Sequence, residues 1–126
     1  DHVVSTAIDG SAPAEVVEVI PDGKLGVDVG PATVAQFGKI LSGARTILWN
    51  GPMGIFEVEG FDAGTRGVAE AVAGADAFSA VGGGDSAAAL EQMGLADRVT
   101  HVSTGGGASL QFLSGGELPG LVALED

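Results

Sequence analysis

The sequence predicts an α/β protein: a partial doubly wound, Rossmann-like parallel sheet with flanking helices in three αβα layers. Two observations carry this prediction. From Gly30 onward, short apolar runs alternate with helical patterns in the order β-α-β-α-β-α, and the crossovers are long enough for parallel strands. Each apolar run also ends in a loop of small residues, and open α/β sheets bind ligands at that carboxyl edge. The 126 residues suffice for one domain, covering 1–126.

The first 30 residues are less regular. Short strands are predicted at Val3-Val4 and over residues 16–20, and each is succeeded by turn residues, at 10–13 and 21–23 respectively. Pro31 then stands at a favourable first helical position. Apolar residues at helical spacing predict a helix from there that Gly43 ends.

Three strand–helix pairs come next, each predicted from an apolar run and the helical pattern after it. Asp62 is the predicted N-cap of the first of these helices. The apolar segment 117–126 is expected to pack against another part of the protein. The predicted strands are residues 46–49, 77–81 and 99–102, and the helices lie between residues 62 and 74, over about 86–93, and across Leu110 and Leu113.

The composition excludes several kinds of function. Seventeen acidic and five basic residues give a net charge of -12, which repels nucleic acids and anionic lipids. No apolar run approaches the roughly 20 residues of a membrane span, so neither a nucleic-acid partner nor a membrane is expected. The sequence has no cysteine for thiolate chemistry. Glycine, with 22 residues, is clustered, which indicates close approach of the backbone to another group.

The loop Gly82-Gly83-Gly84-Asp85-Ser86 lies between a predicted strand and a predicted helix. Its backbone N–H groups can converge on an anion at the positive end of the helix dipole. Asp85 would then bind Mg²⁺ carried by phosphates, and Ser86 would donate its hydroxyl to a phosphate oxygen. The alternative is that Asp85 or Ser86 simply caps the helix.

Two familiar nucleotide motifs are disfavoured. Gly82, Gly84 and Ala87 satisfy the relaxed dinucleotide pattern G-x-G-x-x-A, but an NAD site should offer an acidic residue roughly 20 positions later. Val102-Ser103-Thr104 stands there instead. No G-x-x-x-x-G-K-[ST] sequence occurs, so a P-loop is not predicted.

Two further loops are expected at the same edge. Gly105-Gly106-Gly107 repeats the strand–glycine–helix order and predicts a second anion site. The alternative explanation is that the glycines only allow a tight turn and close helix packing. Asn50-Gly51-Pro52 begins a long loop, after which Glu57 could accept hydrogen bonds from a ribose diol or simply be solvated.

In this order, the motifs resemble the phosphoglycerate kinase family, specifically the last third or so of its carboxyl-terminal, nucleotide-binding half. The likeness covers nearly the whole chain. The segments that carry it are Leu25 to Pro31, Trp49 to Pro52, Phe56-Glu57, Gly82 to Asp85, His101 to Ser109, and Glu117 to Gly120.

The resemblance implies phosphoryl transfer between 1,3-bisphosphoglycerate and Mg-ADP in glycolysis, giving 3-phosphoglycerate and Mg-ATP in the cytoplasm. ATP or ADP with Mg²⁺ would bind here, and 3-phosphoglycerate would bind through the family's amino-terminal domain. The site residues so implied are Gly83, Gly84, Asp85 and Ser86 for phosphates and metal, Glu57 for ribose, Gly26 for adenine, Asn50 and Pro52 for the pocket, and Gly105, Gly106 and Gly107 for the transferring phosphoryl group.

The chain departs from the family in lacking the amino-terminal domain and the early part of the nucleotide domain. Removing their cations should cost several powers of ten in rate, so the chain alone is expected to be inactive. Two alternatives stay open: a non-catalytic nucleotide-binding module, and a structural piece in which the glycine loops serve only packing.

Overall fold

The described part of the chain contains two three-stranded sheets, one antiparallel and one parallel. The computed structural model describes residues 1–125. The first sheet is antiparallel and contains β1 (His2–Ser5), β2 (Glu15–Val17) and β3 (Leu25–Val29), with β1 in the middle. This antiparallel sheet is an addition to the predicted architecture.

The elements before Gly30 differ most from the prediction. The strand at Val3-Val4 is confirmed, whereas the strand predicted over residues 16–20 ends at Val17. The third strand, β3, was not predicted, because Gly26 and Asp28, which alternate with its apolar residues, are of types that are rare in strands.

The second sheet is parallel, in the order β4-β5-β6, and its strands alternate with helices. The predicted αβα class is therefore confirmed, and the element limits lie close to those predicted. The elements are α1 (Pro31–Leu41), β4 (Thr46–Asn50), α2 (Ala63–Gly74), β5 (Phe78–Gly82), α3 (Gly84–Gln92), a short 3-10 helix (Ala96–Arg98), β6 (His101–Ser103), α4 (Gly106–Leu113) and α5 (Pro119–Val122).

The parallel sheet has one well-covered face. Successive side chains of a strand point to opposite faces, and in β4 the buried residues are Ile47 and Trp49. They form the larger core with Val72 of α2 and Leu90 of α3. On the opposite face, Leu48 lines an apolar groove with residues of α4. Helices thus flank the parallel sheet on both sides.

A smaller core joins the antiparallel sheet to the segment after β4. Val3 and Val27 pack against Phe61, which is 1% exposed. Ile55 and Val58 contact the same cluster. The long connection 51–62 is therefore anchored to the first sheet, although it leaves from a strand of the second.

The carboxyl-terminal segment does not pack as predicted. The exposed fraction is 51% for Leu121, 48% for Val122 and 80% for Leu124. In α4, Phe112 and Leu113 are also largely exposed. Within residues 1–125, no helix has both the length and the apolar character needed to cross a membrane.

Candidate functional site

The three small-residue loops meet at the carboxyl edge of the parallel sheet. Gly83 donates its backbone N–H to the Ser103 carbonyl at 2.8 Å, which links the loop after β5 to the end of β6. Gly51 donates its N–H to Ser86 Oγ at 2.7 Å, which links the loop after β4 to the start of α3. The predicted convergence of the loops on one edge is therefore observed.

Two of the glycines are required by the packing and the backbone conformation of these loops. A Cβ at Gly106 would lie 2.7 Å from Asn50 Oδ1 and 2.9 Å from Gly83 Cα, closer than real Cβ contacts. At Gly83, φ is +101°, a conformation that residues with a side chain rarely adopt. The alternative explanation thus accounts for both residues, Gly83 through its turn conformation and Gly106 through close packing.

Gly84 and Gly107 have no such explanation. A Cβ at either position would meet no atom within 4 Å, and neither residue has a positive φ. Both stand in the first turn of a helix, α3 and α4 respectively, where backbone N–H groups have no partner inside the helix. The two positions therefore present open backbone at helix N-termini. Gly105, the N-cap of α4, would allow a Cβ in ordinary van der Waals contact.

Asp85 and Ser86 lie inside the first turn of α3. The N-cap is Gly83, and no side chain caps this helix, so the prediction that Asp85 or Ser86 is the cap is wrong. Asp85 is exposed. Ser86 is fully buried, and its hydroxyl oxygen accepts the hydrogen bond from Gly51. In this conformation Ser86 holds two loops together.

The segment after Asn50 connects this edge to β3. Ile55 donates its N–H to the Val27 carbonyl at 3.0 Å, beside Gly26 in the strand. Pro52 is half-buried, whereas Gly26 and Glu57 are exposed. The glycine loops therefore form one group, and the segment 51–57, which contains Pro52 and Glu57, connects them to β3, where Gly26 lies.

Asp28, within the segment Leu25 to Pro31, is a buried carboxylate that was not among the predicted site residues. It is 5% exposed and accepts hydrogen bonds from the N–H groups of Gly64 at 2.6 Å and Val29 at 2.9 Å. Burial raises the pKa of Asp28; the two hydrogen bonds oppose this, and the nearby Asp62 charge adds to it. A Cβ at Gly54 or Gly64 would overlap the carboxylate. The available sequence clue was an acidic residue within the alternating run Leu25–Val29.

An open α/β sheet with glycine-rich strand–helix junctions gathered at its carboxyl edge defines the class of fold in which ligands bind at that edge. Comparison with known proteins then gives the family. The chain matches the family described as phosphoglycerate kinase over residues 1–116. It belongs to the phosphoglycerate kinase family.

The relatives agree with this assignment and are much longer. A phosphoglycerate kinase of Solibacter usitatus is 58% identical over 125 residues, which is 99% of this chain and 32% of that protein. One of Chlorobium limicola is 57% identical over 121 residues, covering 94% and 30%. The chain therefore spans about a third of the length of the curated relatives it matches.

Solved structures show the same relation. The structure of phosphoglycerate kinase from Coxiella burnetii has a TM-score of 0.86 and 44% identity, covering 91% of this chain and 30% of that one. The crystal structure of the enzyme from Pyrococcus horikoshii has a TM-score of 0.82 and 39% identity, covering 98% and 31%.

The raised pKa of Asp28 predicts a pH dependence of stability. The folded protein keeps the proton on the Asp28 carboxyl to a higher pH than the unfolded chain does. The stability that this proton contributes is therefore fully present below the unfolded pKa of 3.8. It is lost as pH rises through the raised folded pKa. The test is urea unfolding of the unaltered protein and of Asp28→Asn over an acid-to-neutral pH series. The unfolding free energy of the unaltered protein minus that of the variant should fall as pH rises.

The matched control is Asp97→Asn, which also removes one negative charge but at an exposed position. Asp28→Asn should also be less stable near neutral pH, because its amide N–H₂ would face a backbone donor, at a cost of about 1–3 kcal/mol. A stability difference that rises with pH, or that does not change, would contradict the assigned environment of Asp28.

Proposed function

We propose that this chain supplies the Mg-nucleotide-binding part of a phosphoglycerate kinase. The reaction is transfer of a phosphoryl group between 1,3-bisphosphoglycerate and ADP, giving 3-phosphoglycerate and ATP in cytoplasmic glycolysis. The observation that carries the proposal is the pair of open helix N-termini at Gly84 and Gly107, brought to one edge by loops that contact each other. Backbone amides in this arrangement suit the oxygens of nucleotide phosphates.

The proposed roles divide along the edge. Gly83, Gly84, Asp85 and Ser86 bind phosphates and metal, and Gly105, Gly106 and Gly107 stabilise the transferring phosphoryl group. Since Ser86 is buried, a direct hydroxyl contact with phosphate would require the start of α3 to shift. On the other side of the segment 51–57, Gly26 would lie by adenine and Glu57 would bind the ribose, with Asn50 and Pro52 shaping the pocket between them.

Asp85 fits a Mg²⁺ ion that arrives with the nucleotide. Its carboxylate is exposed in the first turn of α3, beside the N–H groups proposed for the phosphates. Among residues 1–125, no group of three or more His, Asp or Glu side chains could hold a metal ion by itself. The ion would therefore take most of its ligands from phosphate and water, as Mg²⁺ commonly does, and would offset negative charge on the phosphates.

The charge of the chain supports a division of labour with the rest of a longer protein. Three of the five basic side chains, Lys24, Arg45 and Arg66, form ion pairs with acidic residues. Phosphoryl transfer needs positive groups around the developing charge and an acceptor held in line. We infer that these cations and the 3-phosphoglycerate site belong to the two thirds of the relatives' length that this chain does not match.

A non-catalytic nucleotide-binding module is the second candidate. It is favoured by the same division of labour, because the proposed nucleotide residues are in this chain and the proposed acceptor site is not. Both candidates bind Mg-ADP through Asp85 and the glycine loops. Only the kinase gains phosphoryl transfer when the remaining part of the protein is supplied.

Two alanine substitutions separate ligand binding from packing. A Cβ at Gly84 or Gly107 enters open space, so Gly84→Ala and Gly107→Ala should leave the fold intact and even stabilise it by about 0.5–1 kcal/mol. Each should weaken Mg-ADP binding about tenfold by calorimetry, because the methyl group would occupy the proposed phosphate position. Gly74→Ala, at the end of α2 and also in open space, is the matched control.

If Gly84→Ala and Gly107→Ala bind Mg-ADP as tightly as the unaltered protein and the Gly74→Ala control, the glycine loops do not contact the nucleotide. If the unaltered protein shows no binding, the proposed site does not function in this chain. Gly106→Ala serves as the opposite reference, since packing alone predicts that it destabilises the protein.

Turnover tests the assignment of the remaining catalytic groups. In a coupled assay with 1,3-bisphosphoglycerate and Mg-ADP, this chain alone should form no detectable ATP, because loss of positioning and of positive charge costs several powers of ten in rate. Joining it to the preceding two thirds of the Solibacter usitatus relative should restore activity. Ordinary turnover by these 126 residues would contradict the proposal that the catalytic cations lie outside this chain. A joined protein that is inactive would favour the non-catalytic nucleotide-binding module.

A further inference from the structure

The segment 51–55 is held through its backbone amides by three different elements. Gly51 donates to Ser86 of α3, and Ile55 donates to Val27 of β3. Between them, Met53 and Gly54 both donate to Thr65 Oγ1 of α2, at 3.1 Å and 3.3 Å. Since proline has no amide hydrogen, every N–H of the segment has a partner outside it.

Thr65 cannot touch a ligand itself. Its side chain is 0% exposed, in the first turn of α2. Its hydroxyl oxygen therefore acts on the backbone of the segment, from inside the protein. It supplies the shared acceptor for the middle of the segment, between Pro52 and Glu57.

The position of that oxygen is itself fixed. Asp28 accepts the N–H of Gly64, the residue before Thr65, at 2.6 Å, which ties the start of α2 to β3. Gly54 approaches the same carboxylate so closely that a Cβ there would overlap it. The segment is thus confined between the Asp28 carboxylate and the Thr65 hydroxyl.

We propose that Thr65 is a positioning residue for nucleotide binding, acting by setting the path of residues 51–57. Pro52 and Glu57 stand at either side of the held amides, so their separation and orientation depend on where Met53 and Gly54 are fixed. The inference rests on the proposed function, since it concerns the same nucleotide site. It adds a buried hydroxyl whose loss changes affinity without removing any group that contacts the ligand.

A purely space-filling role is the alternative, and two substitutions separate it from the proposal. Thr65→Val keeps the branched shape and removes the acceptor. Thr65→Ser keeps the hydroxyl and removes the methyl group. If the hydroxyl positions the segment, Ser should preserve function and Val should lose it; if the side chain only fills space, the order should be reversed.

Amide hydrogen exchange tests the positioning step without any nucleotide. In Thr65→Val, exchange at Met53 and Gly54 should accelerate about tenfold or more, because both amides lose their acceptor. Gly51 and Ile55, held by Ser86 and Val27, should change much less. Thr65→Ser should retain the protection of all four amides.

Calorimetry with Mg-ADP on the same proteins tests the consequence for the site. Thr65→Val should raise the Kd about tenfold, and Thr65→Ser less than about threefold. Equal affinity of Thr65→Val and the unaltered protein, or a larger loss in Ser than in Val, would overturn the positioning role alone. No Mg-ADP binding by the unaltered protein would overturn the proposed function and this inference with it. Should Thr65→Val not fold, the comparison of Thr65→Ala with Thr65→Ser carries the same predictions.

Discussion

The close backbone contact between the loops after β5 and β6 is the constraint on which the rest of the site depends. The close approach leaves no room for a side chain at Gly106, and the φ of +101° disfavours one at Gly83. The Gly83 N–H is bound to the Ser103 carbonyl. This contact brings the first turns of α3 and α4 to one edge of the parallel sheet. Without it, the two sets of helix N-terminal amides would not lie side by side at this edge.

Beneath this edge lies a layer of buried polar groups that fixes the loops. Ser86 and Thr65 are fully buried, and they accept backbone hydrogen bonds from residues 51–54. Asp28 is nearly buried and accepts the N–H of Gly64 at the start of α2. Burying such groups without partners is costly, so satisfied acceptors at these positions specify one arrangement of the backbone. The exposed layer, by contrast, consists of open glycine backbone and the Asp85 carboxylate.

Much of this could be predicted from the sequence, for physical reasons. Apolar runs and helical spacing predicted the parallel sheet. The glycine clusters after the strands predicted the edge where the loops meet. The order of those motifs also led to the family. In β3, however, Gly26 and Asp28 hid the strand, because the interactions that favour it are long-range contacts with β1 and α2.

The different roles of the individual glycines could not be predicted from the sequence. Gly83 and Gly84 are adjacent and chemically identical, yet Gly83 is required by its positive φ, whereas Gly84 faces open space. The same applies to Ser86, whose position beside the proposed phosphate site suggested a ligand but whose burial makes it a link between loops. Such distinctions depend on distances across three loops, which no local pattern encodes.

The central claim is that the three loops form one nucleotide surface, and amide chemical shifts during a Mg-ADP titration test it most directly. We expect the largest changes to fall together on residues 50–52, 83–86 and 105–107, with α1 and the carboxyl-terminal segment little affected. Changes confined to another region, such as the apolar groove lined by Val16 and Val34, would contradict the claim.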